Sequence, residues 1–268
     1  MTVPSPSSAP AQSGIQRAYH GIARYRGALE LGWYDFVARF RRSWLGPLWS
    51  PIQMALFVAV LVIIFGRGDL ENGSSYILYL AVGFYAWDFI SASVTEGAVH
   101  FTSQASLMKN TRVDISYMTV RKISFLFCRS LLNAPIPIIA VIFFDGVVNA
   151  NTLMILLAPF VFAGFTYGCL IIFGILGAFF ADFGHLTQTV TRFLFFTTPI
   201  IWYGDAGLRK VISDYNPFSY YIEFVRAPLR GEIASPMVWL VVCASSLLAL
   251  LIALWMQKQF RTRLVYRL

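Results

Sequence analysis

Four ionisable residues stand where an apolar chain would not be expected to put them. Glu96 and His100 are spaced i, i+4, which sets two side chains on one helix face and is the step used by paired ligands on a helix. Asp88 lies eight residues before Glu96, within about 80° of it on an ideal helix. It is well inside an apolar run, where a carboxylate is costly and faces a partner or a wet cavity. Arg129 is its candidate partner, unless that side chain snorkels to the membrane surface. Two ligands do not close a metal site, so the plainer reading leaves Glu96 and His100 wetted at the mouth of a membrane span. A membrane-embedded transferase using Asp88, Glu96 and His100 is the competing reading. No metal, cofactor or catalytic set is assigned. No lysine follows a glycine anywhere in the chain, so the Gly-Lys pair of a phosphate-cradling loop is missing. Neither GxSxG nor HExxH occurs. Cys128, Cys169 and Cys243 lie in apolar runs without metal spacing and read as small core residues.

The elements that must position these residues are membrane helices. The 268 residues are 57% hydrophobic and 13% charged, with a mean hydropathy of +0.64. A soluble domain is about a quarter charged, so this chain cannot coat a water-soluble surface and is expected to be an all-α integral membrane protein. Its net charge of +8 is read as loop charge held beside anionic lipid rather than as a nucleic-acid surface. Residues 1–28 are expected to form a disordered, basic tail, uncharged over its first 14 residues. An amphipathic interface helix is expected over 29–45, with Leu29, Trp33, Phe36, Val37, Phe40 and Trp44 on one face and Arg39, Arg41 and Arg42 off it. Gly46-Pro47 breaks that helix, and Trp49 stands where an interfacial anchor belongs. Six spans are expected in the 29–268 permease domain, at about 48–66, 76–99, 123–144, 152–180, 187–203 and 237–256.

Six spans return both termini to one side. Fifteen of the lysines and arginines fall on that side and five, Arg67, Arg209, Lys210, Arg226 and Arg230, on the other, which places both termini in the cytoplasm. The stretch Gly204–Pro236 holds two short helical patterns, Leu208–Asp214 and Pro217–Gly231, after a proline-kinked span. It reads as a segment that dips back toward the membrane, or as an ordinary interfacial loop. Gly164 and Gly168 form a GxxxG, a weak signal for close helix packing. Aromatic residues are 16% of the chain. Most suit lipid-interface belts. The alternative is a path lined with flat rings that meet the C–H faces of sugars without holding them.

In this order the features resemble the membrane subunit of ABC exporters for polysaccharides and related envelope polymers. The likeness rests on Arg39–Trp49 (RFRRSWLGPLW), on Tyr79–Gly97 (YLAVGFYAWDFISASVTEG), on Thr198-Pro199-Ile200-Ile201 with Asn216-Pro217-Phe218, and on Phe260-Arg261. It looks most like the O-antigen export branch of lipopolysaccharide biosynthesis. The resemblance implies a permease in the bacterial inner membrane that moves a lipid-linked polysaccharide. Two permeases would work with two copies of a separate ATPase, which alone would bind ATP and magnesium. Residues Ser106, Leu107, Met108, Lys109 and Asn110 would form the coupling helix on that ATPase. Arg39, Arg41, Arg42, Gly46 and Pro47 would form the joint between interface helix and first span. Tyr85, Asp88, Trp202, Tyr203, Tyr220 and Tyr221 are candidates for the channel and its re-entrant gate between spans 5 and 6. A permease for capsule, teichoic acid, a drug or a lipid is the alternative within this fold.

Overall fold

A computed structural model of the chain describes residues 14–41, 43–65, 76–110, 114–144, 146–204 and 206–267. The first 13 residues of the expected tail, Arg42 and the turn expected at 69–73 lie outside the described residues. The described chain is helical: α1 (Gly14–Ala38), α2 (Trp49–Phe65), α3 (Tyr76–Ala98), α4 (Ala105–Asn110), α5 (Ile115–Asn133), α6 (Pro135–Phe143), α7 (Ala158–Phe179), α8 (Phe183–Thr197), α9 (Gly207–Tyr215), α10 (Pro217–Leu229) and α11 (Pro236–Arg267). Five segments are long and apolar enough to cross a membrane: Gly46–Phe65, Tyr76–Ala98, Ile115–Phe143, Ala150–Phe179 and Pro236–Phe260.

The helix α3 is the axis of the bundle. It packs on α7, α8, α10, α6 and α2, and 72% of its most apolar stretch is buried, against 17% for the first span and 22% for the last. Its small residues let neighbours close in on every side, whereas α2 and α11 keep rows of large apolar side chains outward, among them Ile63, Ile64, Leu248 and Leu251. Lipid is the solvent that tolerates such rows. One core runs through the middle of α3, α7 and α10, with Leu80, Ile90, Leu170 and Ile222 fully buried. A second closes one end of the bundle around Phe101, Met108, Ile115, Met118, Ile175 and Leu264.

The element boundaries depart from the sequence expectations for identifiable reasons. α1 starts at Gly14, inside the expected tail, and ends at Ala38 rather than near Trp44. Its buried stripe is Ala28, Gly32 and Phe36, packed on α5, while Leu29, Trp33 and Val37 remain exposed and Trp44 is 97% exposed. α5 begins at Ile115, eight residues before the expected span, because Asp114 caps it by accepting from the Ser116 amide at 3.1 Å. Arg121 and Lys122, which made that segment look like a loop, find carboxylate partners. Pro135 and Pro137 then interrupt the helix, which resumes as α6. α8 stops at Thr197, and Thr198 is extended at φ −98°, ψ 137°, as the residue before a proline prefers. Its 15 residues rise about 22 Å, short of the roughly 30 Å hydrocarbon layer. α11 stays helical through the expected tail to Arg267. α9 and α10 form where the two short helical patterns were read. Of the GxxxG pair, Gly168 lies against Ala249 of α11 and Gly164 faces open space.

Candidate functional site

The closed end of the bundle carries the expected coupling segment. α4 follows a 3-10 turn, Thr102–Gln104, after α3. Ser106 and Lys109 are exposed, Leu107 is half-buried and Met108 is buried among the end-core side chains. Asn110 closes the helix; its side chain lies outside the described residues. A six-residue helix is too short to hold itself, so Met108 is what pins it to the bundle, leaving Ser106 and Lys109 exposed. Beside it α1 is clamped on α5. Arg121 grips Asp35 with Nε at 2.5 Å and Nη2 at 2.6 Å, Phe36 meets Phe125 edge-on, and Ser124 donates to the Leu29 carbonyl at 2.7 Å. Arg39 and Lys122 both approach the Phe125 ring, at 5.4 and 4.8 Å. Arg41 is exposed.

Glu96 and His100 do not converge. Glu96 accepts from Lys122 Nζ at 2.8 Å. His100 is 1% exposed, beside Thr119 at 3.4 Å and Gln104 at 3.3 Å. Burial, helped by the Lys122 charge, pushes its pKa down to about 3, so the imidazole is neutral and structural. Among the described residues no three metal-ligating side chains gather. The joint between α1 and α2 is a turn in which Ser43 Oγ accepts from the Gly46 amide at 3.2 Å. Gly46 has φ 54°, a left-handed conformation that glycine adopts freely, and Pro47 opens the 3-10 turn into α2.

At mid-depth Asp88 meets its candidate partner. Arg129 Nη2 donates to it at 2.6 Å and Asn133 Nδ2 at 3.2 Å. Tyr85 accepts from Ser130 at 2.8 Å. These contacts tie α3 to α5. A different face of α3 opens on a groove of about 570 Å3 shared with α2 and α8. Phe57, Phe84, Trp87 and Phe195 give it rings, and Ser91, Thr95, Gln188 and Arg192 give it polar groups. Arg192 is exposed there, the tenth of the fifteen residues of α8.

The opposite end is built around a break. Between α8 and α9 the chain is irregular, and side chains meet the carbonyls of this stretch and of the end of α8. Trp202 Nε1 donates to Phe196 O at 3.0 Å, Asn216 to Thr197 O at 3.2 Å and Tyr76 to Ile201 O at 2.9 Å. The Tyr79 hydroxyl lies 2.9 Å from both Pro199 O and Trp202 O. Arg226 of α10, only 3% exposed, donates to Pro199 O at 3.2 Å and to Tyr79 O at 3.0 Å while lying 3.5 Å over the Tyr79 ring. Gly83 makes room for it, since a Cβ there would overlap the guanidinium. Tyr220 donates to Asp214 O at 2.9 Å and, with Tyr203, lines a cavity under α9. Tyr221 is 1% exposed and bonds Ser246 of α11 at 2.6 Å, so it anchors α10. Arg226 was counted only as a loop charge. Its spacing from Ser219 and Ile222, i+7 and i+4 on the buried face of α10, was the available signal.

A charge-poor bundle with an exposed, pinned α4 at one end and a side-chain-knitted break at the other has counterparts among known proteins. Residues 28–229 match the ABC-2 type transporter family. The chain belongs to the ABC-2 type transporter family. An O-antigen export system permease protein RfbA of Klebsiella pneumoniae is 27% identical over 193 residues, 70% of this chain and 74% of that protein. A second RfbA of the same organism is 28% identical over the same shares. An RfbA of Myxococcus xanthus is 22% identical over 206 residues, 75% of this chain and 79% of its own length. Membership makes this ABC-2 chain a multi-pass membrane permease whose ATP hydrolysis belongs to a separate ABC ATPase subunit. The matched region takes in α4, the polar contacts between α3 and α5 and both helices after the break.

Proposed function

We propose that this ABC-2 permease exports a lipid-linked polysaccharide, an O-antigen in the first instance, across the bacterial inner membrane. The carrying observation is the likeness to O-antigen export permeases along 70% or more of the chain. The groove between α2, α3 and α8 supports it, because rings interleaved with hydroxyl, amide and guanidinium groups suit a polymer of sugars. Two copies of the chain and two ATPases form the working unit, and the polymer passes between the permeases. α8 with the irregular stretch to Tyr203 completes a sixth crossing, and α9 and α10 form a re-entrant gate on the outer side. Both termini, α1 and α4 are cytoplasmic, in keeping with the charge asymmetry. α4 receives the ATPase through Ser106 and Lys109, with Met108 passing the load inward. Deleting the gene tests the reading: lipid-linked polymer accumulates inside the cell and its surface form disappears. Normal surface polymer in the deletion strain rejects it.

A further inference from the structure

The cavity beneath α9, about 290 Å3 in volume, has a wall chemistry unlike that of the other pockets. It lies between the outer break and α10 and is lined by Tyr203, Asp214, Ser219, Tyr220, Glu223 and Arg226 among others. Two polar groups on that wall are buried without hydrogen-bond partners, the Ser219 hydroxyl and the Arg226 Nε–H, in residues 8% and 3% exposed. Leaving such groups unmet costs about 1–3 kcal/mol each, a cost that a ligand reaching them from the cavity would relieve. We propose that this cavity is a docking subsite for one uncharged sugar ring of the exported polymer, at the outer end of its path; the inference rests on the polysaccharide reading above.

The choice of ligand follows from the balance of the lining. Asp214 and Glu223 offer carboxylate acceptors to sugar hydroxyls, and Ser219 and Arg226 offer donors. Tyr203 and Tyr220 add ring surface for C–H groups. The wall holds Asp214 and Glu223 with Arg226, and Arg230 pairs with Glu223 and with Glu232 at 3.0 Å, so acids outnumber bases by one. Such a site does not draw a phosphate or an acidic sugar, whereas a polyol uses both kinds of group at once. The volume is at the lower edge of small-ligand pockets and suits one ring rather than an oligosaccharide. A single-ring contact is also weak enough to let a moving polymer leave.

The test uses the full chain with its partner ATPase in proteoliposomes. The probe is the glycan released by mild acid from the host's own surface polymer. Saturation-transfer NMR and tyrosine fluorescence report binding of this glycan, and ATP-driven uptake of the lipid-linked polymer reports transport. Wild type is expected to bind the glycan. Ser219→Ala and Asp214→Asn are expected to weaken binding about tenfold and to slow transport, with no fall in melting temperature as the folding control. Undiminished binding in both variants, with transport intact, overturns the subsite and leaves the polysaccharide reading standing. Inorganic phosphate competing as well as the glycan also overturns it, since the lining would then select an anion. A wild-type complex that transports no glycan removes the polysaccharide reading and the subsite together.

Discussion

Arg226 meets two carbonyls and a tyrosine face at the break between α8 and α9. A planar guanidinium can bridge carbonyls and stack on a ring at once; a lysine ammonium cannot. Arg226→Lys should therefore lower the melting temperature of the purified chain, with a loss on the order of 2 kcal/mol. Gly83→Ala should produce the same loss by displacing the guanidinium, and the two changes combined should cost little more than either alone, because both break one contact. Additive losses in the double variant would show that the contact is not the shared cause. His100 sets a second expectation. Its folded pKa of about 3 lies below the ordinary value of 6.5. The unfolded chain therefore takes the proton first, and the stability is fully present above about pH 6.5 and falls as pH drops toward 3. Thermal melting between pH 7 and 5 should decline by up to about 1.4 kcal/mol per pH unit, and His100→Gln should flatten that decline. An unchanged pH profile in the variant would place the acid sensitivity elsewhere.

At the scale of elements, α1, α4 and α5 form one unit at the closed end. Arg121–Asp35 joins α1 to α5, Lys122–Glu96 joins α5 to α3, and Met108 of α4 shares a core with Ile115 and Met118 of α5. Reversing either partner of the first pair, Asp35→Arg or Arg121→Asp, should cost about 1 kcal/mol, since both side chains are partly exposed. It should lower transport per ATP hydrolysed, and the double reversal should restore it. Failure of the double variant to recover would mean that the pair is not the link. Gly46→Ala places a Cβ on a left-handed residue, at a cost of about 1–2 kcal/mol. It should leave membrane insertion intact while impairing transport.

These elements were legible in the sequence to unequal degrees. Long apolar runs announced the spans, and the patterns at 208–214 and 217–231 announced α9 and α10, because burial in lipid or at its surface follows residue type directly. The α1 stripe was misread because its packing side is Ala28 and Gly32 with an ion pair. Counting large apolar residues selects Leu29, Trp33 and Val37 instead, which face outward. The start of α5 was missed because Arg121 and Lys122 look like loop residues until Asp35 and Glu96 arrive from elsewhere in the chain. Asp88 was marked correctly as needing a partner, because an acid at that depth cannot stand alone. The carbonyl contacts of the outer break were invisible, since backbone groups carry no signature in the sequence.

For the whole molecule, the distribution of burial is the informative quantity. A bundle in which α3 is enclosed and α2 and α11 are largely open presents its outer helices to lipid. With ATP chemistry on a separate subunit, the proposed function makes its work the passage of a polymer across the membrane. The most direct measurement reconstitutes the chain with its partner ATPase in sealed proteoliposomes, supplies lipid-linked polysaccharide on the ATPase side, and follows its protection from added glycosidase. The prediction is ATP-dependent protection that requires both subunits and stimulates ATP hydrolysis. Hydrolysis stimulated by a drug or short lipid but not by the glycan, or glycan chemistry by the chain without its ATPase, would contradict it.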